Sequence, residues 1–485
     1  MMKIDLTDLR SEDALYDPTD TRAMAGYVHV LPNGAWHAFR VSTGFEKSGD
    51  GSLQSLEPGL WVSNLPFVET EKICKALPGI LLRSEGWLKL TSDNILASWG
   101  MTGVNGRTAA RLMASIVHRA CALVLESVAD WDETPAMRRR AATLLGTRPS
   151  LATAIAGILE KDLFGNRSVD VAVESMMTKT YQQGMFCYGR KVAPQGFLNL
   201  SFHFPRLSHA LAMTRDRIPD GGSWKVGPRG QGVSSEQFYQ AASRIEEPLI
   251  FYANPYVSNS ITEYMEAFTG ARREQGRFRC LFTRDEYDLI RRETGDTVQS
   301  VYVGNGWSRS TIGRFLEVFM GVCGGRHVAA YSFTANLVAE NIFAAAFRKP
   351  NRDTGSEAPE TIWLGARDRI ELYKVTQEFY QFGATLVSAQ HGVVQIQCPK
   401  DPELLSGILE TSWRHALTLP MDRVAEISPL GVDIPHDRAS FGGNPVDYAF
   451  CAIAQTGKKK SLFILDEILD ADRADRSDRM RALLS

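Results

Sequence analysis

Four apolar residues, Leu462, Phe463, Ile464 and Leu465, run into Asp466-Glu467, the form taken by the metal-holding strand of a phosphate-loop ATPase. That chemistry needs a Gly-x-x-x-x-Gly-Lys-Ser/Thr loop, whose backbone N–H groups and lysine cradle the phosphates. The chain has none, and Gly457-Lys458 stands too close to Asp466 for a helix to intervene. Residues 448–455 and 461–465 read instead as a hairpin through Thr456-Gly457-Lys458-Lys459, and no ATPase activity is expected of it.

A second phosphate-binding candidate is the stretch from Val301 to Thr311, which reads as a strand, a glycine loop and a helix start. Gly304 and Gly306 allow close backbone approach, the helix start offers unpaired N–H groups, and Arg309 can fork onto a phosphate. The spacing departs from the nucleotide fingerprint, because Arg309 stands where the third glycine belongs; a plain capped turn is the competing reading. The loop from Gly227 to Gly232 follows no clear strand and is the weaker glycine-rich candidate.

Metal ligation needs several His, Cys or carboxylate groups at defined spacing. Cys187, His203 and His209 come nearest, at intervals that fit no zinc module, so no metal site and no cofactor are expected. Cys187 with His203, or Cys398 with His391, could be drawn as nucleophile and base, but nine histidines and seven cysteines supply such pairs by chance.

Basic groups occur at Arg138-Arg139-Arg140, at Arg272-Arg273 with Arg277 and Arg279, at Arg348-Lys349 with Arg352, and at Lys458 to Lys460. Phe278 between Arg277 and Arg279 has the aromatic-in-basic pattern of a strand that stacks bases, which makes Arg272, Arg273, Arg277 and Arg279 the nucleic-acid contact candidates. Near the end of the chain, Asp472 with Arg476 and Asp475 with Arg479 support a helix. Its apolar end, Met480, Leu483 and Leu484, is the candidate anchor on another copy of the chain.

The elements that must position these groups alternate in type along the chain. Residues 1–107 read as a β-rich region with an antiparallel sheet, its first hairpin turning at Pro32-Asn33-Gly34, and 108–168 as a helical layer. Residues 169–347 alternate strand and helix, which points to a mixed α/β domain with a sheet at least partly parallel. A polar linker over 348–361 leads to a βαββα module at 362–447, opened by a strand at Ile362-Trp363-Leu364, and to the hairpin and charged helix of 448–485.

At 485 residues, 44% hydrophobic and 23% charged, the chain has the composition of a multidomain α+β protein. A net charge of −2 provides no global field toward nucleic acid or an anionic membrane, so such contacts must be local. Arginine exceeds lysine by 39 to 15. Seven scattered cysteines without a C-x-x-C point to small buried hydrophobes in the cytoplasm, another reducing intracellular compartment, or a virion. No run of eighteen uncharged apolar residues occurs, and the first twenty-two residues lack the pattern of a signal peptide, so no membrane association is expected. The function class this favours is a non-enzymatic structural or assembly protein, such as a viral or mobile-element shell or scaffold subunit. It would self-associate as a homo-oligomer and contact nucleic acid through local arginine clusters. The alternative is an enzyme acting on a phosphorylated or nucleotide substrate at the Gly304 loop.

Overall fold

The turn at Pro32-Asn33-Gly34 forms because Gly34 takes a φ of +85°, a region unfavourable to side chains, while Asn33 Oδ1 accepts the Ala35 N–H at 3.1 Å. It joins β1 (Gly26–Val30) to β2 (Ala35–Arg40) antiparallel, and β3 (Phe45–Asp50) continues the meander beside β2. The computed structural model describes residues 24–90, 92, 96, 105–164, 192–204, 206–220, 224–229, 235–253, 273–274, 277–278, 280–290, 298–324, 333–348, 359–390, 392–415, 417 and 427–432. These make an α+β protein of two units. The first takes the described residues up to 158 and from 315 to 348; the second takes those from 159 to 314 and from 359 to 432. A division by chain order alone does not anticipate that 315–348 returns to the first unit.

In the first unit the sheet is mixed rather than wholly antiparallel. β4 (Gly59–Ser63) lies parallel to β1, and β5 (Ile80–Ser84) lies parallel to β4, in the order β3-β2-β1-β4-β5. Parallel neighbours need a crossover, supplied here by α1 (Phe67–Ala76). The strand-like reading of this region missed α1, whose Phe67 and Val68 are exposed and mark no apolar face.

Alternation on β2 turns Trp36, Ala38 and Arg40 inward, toward Val28, Trp61 and Leu82. The buried Arg40 donates to Pro58 O at 3.0 Å and Leu60 O at 3.2 Å, pairs with Glu57, and lies 4.2 Å above the Trp61 ring. Burial pulls its pKa down to about 10, with Glu57 opposing.

α2 (Gly106–Trp131) starts at Asn105, whose side chain accepts the Thr108 N–H at 2.8 Å, and packs on β1 and β2. By length and composition α2 could cross a membrane, but most of its apolar residues are buried inside the unit. α3 (Pro135–Thr147) begins with Thr134 as its cap and Pro135 in its first turn. The single helix expected over 150–163 is two: α4 (Leu151–Ile158), with Ser150 accepting the Thr153 N–H, and α5 (Glu160–Phe164), which opens the second unit. α10 (Phe333–Ala345) packs against α2 and α4.

The second unit opens its sheets with β6 (Phe197–His203), whose residues alternate between core and open face as the sequence implies. α6 (Arg206–Arg215), β7 (Ile218–Pro219), β8 (Lys225–Arg229), α7 (Ser235–Ser243) and β9 (Leu249–Ala253) follow. Then come β10 (Arg273–Glu274), β11 (Arg277–Phe278), β12 (Cys280–Thr283), α8 (Arg284–Ile290), β13 (Val298–Val303), β14 (Trp307–Ser308) and the start of α9 (Thr311–Val322), which belongs to the first unit from Phe315 on.

Every pair in the sheet β12-β9-β13-β8 is antiparallel, so the partly parallel sheet expected for the middle of the chain is corrected. Gly227 to Arg229, expected in a loop, form the end of edge strand β8 at a register shift. A Cβ at Gly227 would meet Val303 Cγ2 at 2.9 Å, which explains the glycine without any ligand. The helix expected over 261–273 lies outside the described residues except for Arg273, which is in β10.

The strand expected at Ile362-Trp363-Leu364 is instead an early turn of α11 (Pro359–Tyr380). An apolar triplet suits either element, and here tertiary packing chose helix. β15 (Thr385–Gln390), β16 (Val393–Pro399) and α12 (Pro402–Arg414) complete the unit. β16 pairs with both β15 and the distant β6, all antiparallel, and their inner face joins α11 and α12 in one apolar core. The hairpin and charged helix expected over 448–485 lie outside the described residues.

Candidate functional site

The start of α9 was the expected anion site, and the protein fills it with its own carboxylate. Glu360, fully buried on the first turn of α11, accepts the backbone N–H groups of Thr311 and, at 3.3 Å, of Ile312. Ser310 Oγ accepts the Gly313 N–H at 2.9 Å. The helix N-terminus does attract negative charge, and that charge comes from Glu360. Gly304 donates its N–H to Pro248 O at 2.8 Å, and a Cβ there would meet the Trp224 ring at 3.2 Å, so its glycine serves packing. Gly306 O accepts the Asp220 N–H at 2.8 Å, and Arg309 is exposed on the segment between β14 and α9.

What the glycine loop delivers is Trp307. β14 pairs Trp307 with Pro219 of β7, and the indole N–H donates to Glu246 O at 2.7 Å, leaving the side chain 37% exposed. Trp307 meets Trp363 edge to face, with centroids 6.4 Å apart and planes at 85°. Trp363, only 3% exposed, stacks in turn on Trp224 at 5.8 Å, over a small core with Ile218, Ile250, Leu281 and Ile362. The two tryptophans wall a cavity of about 390 Å³.

Its charged lining comes from three elements. Trp363 and Arg367 lie one helical turn apart on α11 and so share a face. Arg284 begins α8 with Asp285, and Asp216 with Arg217 follows the end of α6; Leu249 completes the wall. Arg367 donates to Met213 O at 2.8 Å, Asp216 O at 3.2 Å and Arg217 O at 2.7 Å, carbonyls at and just beyond the end of α6. Arg284 likewise donates to Ala242 O at 3.2 Å and Ile245 O at 2.6 Å behind α7. Carbonyls orient a guanidinium without cancelling its charge, so both side chains are held in place. Burial pushes the Arg367 pKa down, and nearby Asp216 and Asp285 oppose this. Among the described residues, three guanidiniums against two carboxylates leave the lining positive, beside the exposed ring of Trp307. Such a site can take an aromatic anion through stacking and charge-assisted hydrogen bonds.

The other candidates fare differently. Arg273 and Arg277 lie on the β10–β11 pair with Glu274 opposite Arg277, while Arg272 and Arg279 are outside the described residues. Met480, Leu483, Leu484, Cys187 and His391 are also outside them. Burial pushes the Cys398 thiol up to about 12, which removes it as a nucleophile at neutral pH; Cys121 and Cys323 are raised to about 11 and about 12 by the same cause. His209 donates to Asp368 at 2.7 Å beneath the stacked Phe204 ring, and the same carboxylate oxygen accepts the Gly392 N–H at 2.8 Å, a buried brace for the β15–β16 turn.

On the open face of β6 and β16, His203 meets Ser201 Oγ at 3.1 Å and Gln397 donates to Asn199 at 3.1 Å. Among the described residues no three His, Cys, Asp or Glu side chains converge as a metal site would require. Sequence reasoning missed Trp307, Trp363, Arg217, Arg284 and Arg367. The one local signal, the Trp363-x-x-x-Arg367 spacing, disappears once 362–364 is read as strand.

No family model matches the sequence, and no curated protein matches it. Among solved structures the chain superposes on Phi29 DNA polymerase complexed with primer-template DNA at a TM-score of 0.41 and 9% identity, covering 76% of this chain and 79% of that one. It superposes on Phi29 DNA polymerase in an orthorhombic crystal form at 0.43 and 9%, covering 76% and 78%, and on its complex with single-stranded DNA at 0.43 and 10%, covering 75% and 76%. Likeness of that depth decides neither fold nor function.

Proposed function

We propose that the chain is a non-catalytic nucleic-acid-binding protein that engages a strand at the Trp307 pocket of its second unit. The observation that carries this reading is the exposed indole of Trp307 set beside Arg217 and two guanidiniums oriented by backbone carbonyls. Bases stack on such rings whatever their identity, and fixed guanidiniums suit phosphate oxygens. The net charge of −2 agrees with local rather than field-driven contact.

Stacking of one base contributes about 1–3 kcal/mol. Trp307→Ala should therefore weaken binding of a fluorescein-labelled single-stranded oligonucleotide roughly five- to a hundredfold, read by anisotropy at low salt. Equal affinity in the variant, or no binding by the unaltered protein, would refute the pocket as the nucleic-acid site. Turnover of the bound strand would instead favour the enzyme reading.

A further inference from the structure

The geometry points to one nucleotide with a free sugar hydroxyl as the occupant of the Trp307 pocket: either a free nucleoside monophosphate or the 3′-terminal residue of a strand, and not a strand's interior. This rests on the nucleic-acid reading above and narrows it.

Three features carry the inference. The first is size. A cavity of about 390 Å³ lies near the lower end of the range for small-ligand pockets, about 300–1,000 Å³, and accommodates a single nucleotide. Grooves that follow single strands take about 4–16 nucleotides per module.

The second is the arrangement of rings. A strand's successive bases need successive stacking planes, whereas Trp307 and Trp363 stand at 85° and Trp363 is buried against Trp224. One base can lie on the exposed ring of Trp307, and among the described residues lining the cavity no second exposed ring continues the stack.

The third is the mixed charge of the wall. Arg217, Arg284 and Arg367 suit a phosphate, but Asp216 and Asp285 line the same cavity. Each sugar inside a strand carries a phosphodiester on both sides, which would set an anion against these carboxylates. A terminal sugar presents a hydroxyl on one side, and a carboxylate accepts its hydrogen bond, as the acidic residue does for the ribose in dinucleotide-binding folds. One phosphate on the arginines and one hydroxyl on an aspartate satisfy both signs of charge.

Anisotropy titration of the full chain tests this with an internally labelled single-stranded 12-mer in three forms: linear with a free 3′-hydroxyl, linear with a 3′-phosphate, and circularised. The free 3′-hydroxyl form should bind at least about tenfold more tightly than the other two, the scale of one charge-assisted hydrogen bond. Asp216→Asn and Asp285→Asn should narrow that difference. Adenosine 5′-monophosphate as competitor separates the two sources. Displacement at its own measured affinity assigns the free nucleotide, and failure to compete assigns the strand end.

A circle that binds as tightly as the linear form overturns the inference while leaving the nucleic-acid reading intact, provided Trp307→Ala weakens both. Absence of binding by every probe, or binding unchanged in both Trp307→Ala and the exposed-site variant Arg217→Ala, defeats the inference and the reading together.

Discussion

Glu46 on β3 shows how a single carboxylate can tie a sheet edge to a helix. Arg107 and Arg111, one turn apart on α2, both donate to it, and Arg111 also lies over the Phe39 ring. The Arg107 hydrogen bond is the largest cause of a carboxyl pKa lowered to about 2, with burial opposing and Arg111 adding to the effect. A depressed carboxyl pKa contributes stability that is fully present above the unfolded value near 4.5 and is lost as pH falls toward 2. Solvent screening holds this to about 1 kcal/mol. Between pH 5 and 2.5 the urea midpoint of Glu46→Gln should therefore fall less steeply than that of the unaltered chain. Identical slopes would show that Glu46 takes no part in acid stability.

At the scale of elements, helix ends are where this chain spends its charged groups. Arg367 and Arg284 serve the carbonyls behind α6 and α7, Arg83 donates to Thr147 O at 3.0 Å at the end of α3, and Arg140 to Gly157 O at 2.8 Å in α4. Part of the arginine excess is thereby explained as capping, since a planar fork reaches two carbonyls where an ammonium is a point charge. The start of α9 is the acidic counterpart. Glu360→Ala would leave the Thr311 and Ile312 N–H groups buried without their acceptor, at about 1–3 kcal/mol each. A loss of about 2–5 kcal/mol in urea unfolding is expected, and added sulfate should restore part of it by occupying the vacated helix start. A loss under about 0.5 kcal/mol would mean that water replaces the carboxylate at no cost.

For the whole molecule, the return of residues 315–348 to the first unit has a consequence for dissection. α10 covers α2 and α4, so a fragment of residues 24–158 would expose their apolar faces. That fragment should bind a hydrophobic dye and be digested quickly by protease, and joining it to 311–348 through a short linker should reverse both. Cooperative unfolding of the short fragment at the midpoint of the joined one would refute this assignment. What the amino-acid order determined alone is what a few neighbouring residues can settle. Gly34 and Asn33 make the first turn, Ser150 caps α4, residues 311–322 carry the helical pattern of α9, and the alternation in β6 divides core from open face. The tertiary structure decided the rest, because its partners lie far apart in the chain. It placed β4 parallel to β1, joined β6 to β16, and put Glu360 into a helix start 49 residues upstream. It also gathered Arg217, Arg284, Trp307 and Arg367 around one cavity. Hydrogen bonding within a turn acts over three or four residues and leaves its mark in the sequence, whereas burial of apolar surface is non-directional, so which distant segments share it is decided only by packing.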